Sequence, residues 1–186
     1  MEKVLLTFLD FLEQEYNYSQ NTVAAYRNDL MQFMRYIQTL PQGTVTSWAE
    51  VSEQDIRDYI EYMKNKPKPL AISSIARKVA AVKSFYNYLF ARNLVPENPS
   101  ANIDSPKVKK RLPETLSAAD VENLLEAPTR RKSPKNLRDT ALLRLLYYSG
   151  MRVTEMVNLT LDDVDLENGI LTSPEDTGDI RQIPLD

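Results

Sequence analysis

Four times in the first 95 residues, apolar side chains recur at three- and four-residue spacing, and each run ends at a polar or proline-containing break. Val4, Leu5, Phe8, Leu9, Phe11 and Leu12 put one apolar stripe on a helix over residues 2–16. Val23, Tyr26, Leu30, Phe33, Met34 and Ile37 put another on a second helix that stops before Pro41. Ser52, with Asp55 three residues on, caps a third helix whose inner face is Ile56, Tyr59, Ile60 and Met63. Ile75, Val79, Val82, Phe85, Tyr86 and Leu89 mark a fourth over residues 73–92. With 4 glycines in 186 residues and no alternating strand pattern here, this segment has one economical solution, a small helical bundle.

The next segment differs in kind. Residues 96–113 hold Pro96, Pro99, Pro106 and Pro113 together with the basic run Lys107-Val108-Lys109-Lys110-Arg111, so they read as an extended linker. Beyond it, Ser117 and Asp120 open a helix, residues 136–148 form a longer one, and a short one comes after Arg152. Residues 169–172 and 180–184 read as two strands of a hairpin. The expected organisation is a helical domain over 1–95, the linker 96–113, and an α+β segment over 114–186.

Charge is distributed unevenly along this plan. The net charge of −3 conceals 4 basic and 9 acidic residues over 1–60, then 11 basic and 3 acidic over 61–113, then 8 basic and 14 acidic over 114–186. A positive middle between acidic ends suits a chain that meets a polyanion along one surface. A solvated lysine-rich helix and linker would give the same totals. The absence of histidine and cysteine removes histidine acid–base catalysis, Ser-His-Asp triads, disulfides and most zinc chemistry. No apolar run approaches the ~18 residues of a membrane span, and the N-terminus lacks the flanks of a signal peptide. A cytoplasmic location without membrane, metal or cofactor is the expectation.

The densest motif is Tyr147-Tyr148-Ser149-Gly150-Met151-Arg152-Val153-Thr154-Glu155-Met156, running on to Leu161-Asp162-Asp163-Val164-Asp165. A helix ends at Ser-Gly, one arginine comes next, and a second helix opens beside it. A guanidinium clamps two phosphate oxygens while staying charged at any physiological pH, and a helix N-terminus adds N–H donors. An arginine paired with Glu155 or Asp162 is the plain alternative.

This block resembles the first arginine motif of the tyrosine recombinases, the integrase and Xer-type enzymes. The likeness extends along the chain. Ser19-Gln20-Asn21-Thr22, then Tyr26, Asp29, Leu30 and Phe33, resembles the start of that family's core-binding domain. Residues 73–77 and 83–89 are similar to its last helix, Asn98-Pro99 and Pro106-Lys107 to its linker, and Arg111-Leu112-Pro113 with Leu116-Ser117 to the catalytic-domain entry. The resemblance implies a mainly α chain: a four-helix SAM-like core-binding bundle, then an incomplete α+β catalytic domain. It also implies a two-domain clamp on double-stranded DNA, with other recombinase protomers as partners. Carried over by position, Arg152 is the catalytic arginine. Arg77, Lys78, Lys83, Lys107, Lys109, Lys110 and Arg111 become phosphate contacts, with Thr22, Ser73 and Ser74 as neutral donors.

The departures are equally specific. The position of the family's hairpin lysine falls on Asp176, the His-x-x-Arg motif is missing, and no tyrosine occurs after Tyr148. DNA binding without cleavage is therefore expected. An architectural or regulatory DNA-binding protein and a helical protein-interaction module stay open as alternatives. An apolar face around Leu142, Leu146, Ile170 and Ile183 is expected to be exposed, leaving 114–186 less well folded than 1–95.

Overall fold

The computed structural model describes residues 1–40, 45–108, 112–130, 133–174 and 180–185. It divides into two compact units, Met1–Arg111 and Leu112–Asp186.

The first unit contains α1 (Glu2–Gln14), α2 (Gln20–Gln38), α3 (Glu53–Lys64) and α4 (Ile72–Ala91). Serines cap α2 and α3, the second as expected. Ser19 Oγ accepts the Thr22 N–H at 3.3 Å, and Ser52 and Asp55 exchange bonds as a capping box, at 2.8 and 3.2 Å. Asn17 and Asn93 take positive φ just beyond α1 and α4, where asparagine tolerates the left-handed turn better than most residues. The four stripes converge as read. Leu5, Phe8, Leu30, Phe33, Ile37, Ile56, Ile75 and Leu89 are all buried in one cluster. Phe85 sits 5.2 Å from the Phe8 ring and 4.8 Å from Trp48. Trp48 arrives on a 3-10 turn, Trp48–Glu50, and its indole N–H donates to the Met1 carbonyl at 2.9 Å, fastening the start of the chain to the core.

The prolines of 96–106 rule out a helix but not packing. Val95 and Ile103 belong to the bundle core and Ser100 is buried. Asn98 Oδ1 accepts from the Ser100 N–H and hydroxyl at 2.9 and 2.7 Å, closing a side-chain turn. The beginning of the expected linker is thus folded onto the first unit, because Ile103 gains more by burial than the extended chain gains by solvation.

The second unit contains α5 (Ala118–Glu126), α6 (Pro134–Ser149) and α7 (Val153–Val157), then β1 (Val164–Asp165), β2 (Ile170–Pro174) and β3 (Ile180–Pro184). Ser117 and Asp120 form the expected capping box. Ser133 caps α6 with Pro134 in its first turn, so that helix starts two residues earlier than its periodicity suggests. The strands form an antiparallel sheet in the order β1-β2-β3, with Leu171 opposite Val164 and Ile183. The two-residue β1 is too short to leave a periodic signal. The core is small: Met151, Met156, Leu171 and Ile183 are buried, with Leu142, Leu145, Leu146, Leu159, Val164 and Leu185 packed around them. This corrects the expected apolar face. Leu142, Leu146 and Ile170 are half-buried and Ile183 buried, whereas Leu137, Leu161 and Leu166 are among the exposed apolar side chains.

Candidate nucleic-acid interface

The chain enters the Arg152 site through a left-handed turn. Gly150 caps α6 at φ +61°, a conformation that leaves the backbone free to reverse without a Cβ penalty. Met151 then drops into the core, and Arg152 becomes the N-cap of α7 with its side chain 63% exposed. Glu155, one turn on, is buried. Its carboxylate accepts the Arg152 backbone N–H at 2.7 Å and the Arg152 Nη1 at 2.7 Å. Arg181 on β3 brings a second guanidinium to 4.0 Å from the same carboxylate. The Arg152 backbone bond, more than the side-chain bond and charge that add to it, holds the Glu155 carboxyl below the ordinary glutamate value.

Two readings of this site change. The pairing of Arg152 with Glu155 is present, but it joins a buried acid to an exposed base and so orients the guanidinium. The Arg152 amide, just ahead of α7, is taken by Glu155 and is not offered to a phosphate. Sequence reasoning missed Arg181, whose position depends on a hairpin register that no local pattern encodes.

The expected DNA contacts of the first unit fall into three groups. Thr22, in the first turn of α2, and Arg77, on α4, come together at a cleft of about 400 Å³ also lined by Asn21, Ala25, Tyr26 and Asp29. The Arg77 side chain is 53% exposed, and its Nη1 donates to Asp29 at 2.5 Å. Ser73 and Ser74 lie in the first turn of α4, exposed and half-buried, and do not line this cleft.

Lys78 and Lys83 are both engaged within the first unit. Lys78 is buried, and its ammonium donates to Asp29 at 2.7 Å and to Gln32 at 3.0 Å. The helical wheel carries the warning: residue 78 lies three after Ile75 and four before Val82, on the apolar stripe. Asp29 lies three after Tyr26 and four before Phe33 in the same way. Two opposite charges on two inner faces predict a buried pair, which sequence reasoning did not draw. Lys83 is half-buried and donates to the Ile103 carbonyl at 2.7 Å, a tie that holds the packed segment to α4.

Lys107 is exposed. Lys109, Lys110 and Arg111 lie outside the described residues, as does Asp176. A further cleft of about 670 Å³ is lined, among the described residues, by the uncharged Pro128, Thr129, Ser133, Pro134, Asn136, Leu137 and Thr140. Among the described residues no group of three or more acids, cysteines or histidines is placed to hold a metal. No described helix is long and apolar enough to cross a membrane.

A helical unit carrying a charged cleft, then an α+β unit whose α6 ends at a glycine turn before an arginine and a short helix, defines an integrase-type architecture. The family model of the phage integrase N-terminal SAM-like domain matches residues 5–93, and that of the phage integrase family matches residues 114–186. The chain belongs to the phage integrase family of tyrosine recombinases.

Among curated relatives, the tyrosine recombinase XerC of Roseiflexus sp. (strain RS-1) is 40% identical over 178 residues, 96% of this chain and 55% of the relative. XerC of Herpetosiphon aurantiacus is 43% identical over 166 residues, 89% of this chain and 53% of the relative. XerD of Rickettsia conorii is 37% identical over 176 residues, 95% of this chain and 54% of the relative. The chain thus spans about half the length of the curated relatives it matches. A lambda integrase (75–356) dimer bound to a COC′ core site superposes with TM-score 0.73 at 18% identity, covering 99% of this chain and 62% of that one. The fold is shared: a mainly α architecture with a SAM-like bundle and part of the integrase catalytic domain.

Proposed function

We propose that this chain binds duplex DNA as the core-binding part, with the opening of the catalytic part, of a site-specific recombinase. The observation that carries the reading is the exposed Arg152 guanidinium fixed on a buried carboxylate, inside the segment that matches the integrase family. A guanidinium held in this way meets a phosphate without first losing rotamer freedom, so more of the contact energy is retained. In the whole protein, Arg152 stabilises charge on the scissile phosphate during phosphotyrosine strand exchange. Arg77, Lys107, Lys109, Lys110 and Arg111, with Thr22, Ser73 and Ser74 as neutral donors, contact the backbone and set register. Other recombinase protomers are partners, as in the lambda integrase dimer, and the protein works in the cytoplasm without metal or cofactor.

The 186 residues hold no histidine and no tyrosine after Tyr148. Binding with no covalent DNA product is the expected activity. The test is anisotropy of a labelled random duplex titrated across a salt series. Log K falls linearly with log salt, and the slope divided by ~0.9 counts several neutralised phosphates. Replacing Lys107, Lys109, Lys110 and Arg111 with alanine lowers that count. No binding at low salt overturns the proposal.

A further inference from the structure

Two residues marked by sequence as phosphate contacts, Arg77 and Lys78, are neighbours on α4, yet the structure gives them opposite surroundings. Both bind one carboxylate. Asp29 is 1% exposed; its Oδ2 takes Arg77 Nη1 at 2.5 Å and its Oδ1 takes Lys78 Nζ at 2.7 Å. Lys78, 6% exposed in its side chain, spends a further proton on Gln32 Oε1 at 3.0 Å and is enclosed. Arg77 is half in solvent at the rim of the Thr22 cleft.

The charges do not cancel. One acid stands between two bases, so the cluster keeps one positive charge, and the only member of it facing solvent is Arg77. A lone buried aspartate would draw Arg77 inward as its counter-ion. Lys78 meets that need from inside, because a buried charge demands a close opposite charge. The guanidinium then spends one of its five N–H donors on Asp29, through Nη1, and keeps four more on a half-exposed planar fork that an ammonium does not offer.

We infer that Asp29 is a positioning residue for a DNA backbone phosphate: with Lys78 as its internal counter-ion, it fixes the Arg77 fork at the mouth of the Thr22 cleft. The inference rests on the DNA-binding function proposed for the chain. Lys78 touches no DNA in this arrangement, and Arg77 delivers its own charge while Asp29 and Lys78 deliver only its orientation.

Charge and orientation separate in a salt series on the full chain with a labelled duplex. Arg77→Gln weakens binding about tenfold and lowers the salt slope by ~0.9, one phosphate. Asp29→Asn alone would leave Lys78 buried without a counter-ion, so the informative variant is Asp29→Asn with Lys78→Met, which removes both buried charges at nearly constant volume. It weakens binding about threefold and leaves the slope unchanged, because Arg77 is still a cation but has lost the charged partner that fixes it. Adding Arg77→Gln to that pair gives the affinity of Arg77→Gln alone, the non-additivity of groups acting through one another. Arg77→Lys, at a half-exposed position where folding is not at issue, also loses about threefold with its slope intact.

A triple variant weaker than Arg77→Gln by the full effect of the pair overturns the inference, since Asp29 and Lys78 then act on the fold as a whole. Wild-type affinity in Arg77→Lys overturns it as well. If the wild-type chain binds and Arg77→Gln binds equally well, this inference falls and the DNA reading stands. If the wild-type chain does not bind, both fall.

Discussion

Both units display an exposed arginine on a buried carboxylate, but they set it on different foundations. Arg77 is held by Asp29 in a bundle where four helical stripes, Trp48 and the docked Ile103 make one continuous core. Arg152 is held by Glu155 in a unit whose buried cluster is Met151, Met156, Leu171 and Ile183, and whose longest helix, α6, contributes no buried residue. Orientation of a single guanidinium needs only one local acid and a rigid turn. Stability needs area removed from water, and the second unit removes little. The same device is therefore expected to be robust in the first unit and sensitive in the second.

The sharpest test of that contrast is a pair of apolar truncations. Phe85→Ala deletes a ring buried between Phe8 and Trp48, and costs about 3–5 kcal/mol in the first unit's unfolding. Leu171→Ala, at a side chain 1% exposed in the second, costs about 2–5 kcal/mol and takes a larger share of what that smaller core supplies. Urea melts monitored separately at Trp48 fluorescence and by exchange in peptides of the second unit read the two. A second unit that keeps the higher midpoint after losing its core leucine would break the comparison.

A smaller effect is expected at the turn. Gly150→Ala forces a Cβ into the left-handed region at φ +61°, although nothing lies within 4 Å of it. The cost is backbone strain of about 1–2 kcal/mol, seen as a lower midpoint for the second unit with the first unchanged.

The smallest effect is in pH. The Glu155 carboxyl lies below its ordinary value of 4.5 in the folded state, chiefly through the Arg152 N–H. A depressed carboxylate contributes stability that is fully present above the unfolded value and is lost as pH falls through the folded one. Below about pH 4.5 the second unit is therefore destabilised. Asp163 and Asp165, also held low by hydrogen bonds led by Thr160 and Asn168, add to the loss. Glu155→Gln removes only the first contribution, so the gap between wild type and variant narrows as acid is added. A gap constant between pH 6 and pH 3 would contradict the assignment.

Much of this architecture is legible in the sequence. The stripes ending at Ile37 and Leu89, the caps at Ser52 and Ser117, and the glycine stop before Arg152 are short-range features, and the chain folds as they indicate. The missed features depend on distant pairing. Lys78 and Lys83 look solvated until Asp29 and Ile103, 49 and 20 residues away, arrive beside them. Arg181 reaches Glu155 only through the β2–β3 register. Ile103 is hidden by the prolines around it, which exclude a helix but say nothing of docking. The wheel positions of Asp29 and Lys78 are the one long-range signal open to a local reading.

The most direct measurement for the central claim, that Arg152 on its Glu155 mount meets DNA, is hydrogen exchange of the chain with and without saturating duplex at low salt. Peptides covering 150–158 are expected to exchange several-fold more slowly with duplex bound, because that thinly packed turn gains a phosphate partner. Unchanged exchange over 150–158 in a chain that demonstrably binds the duplex would place Arg152 away from the DNA and contradict the account.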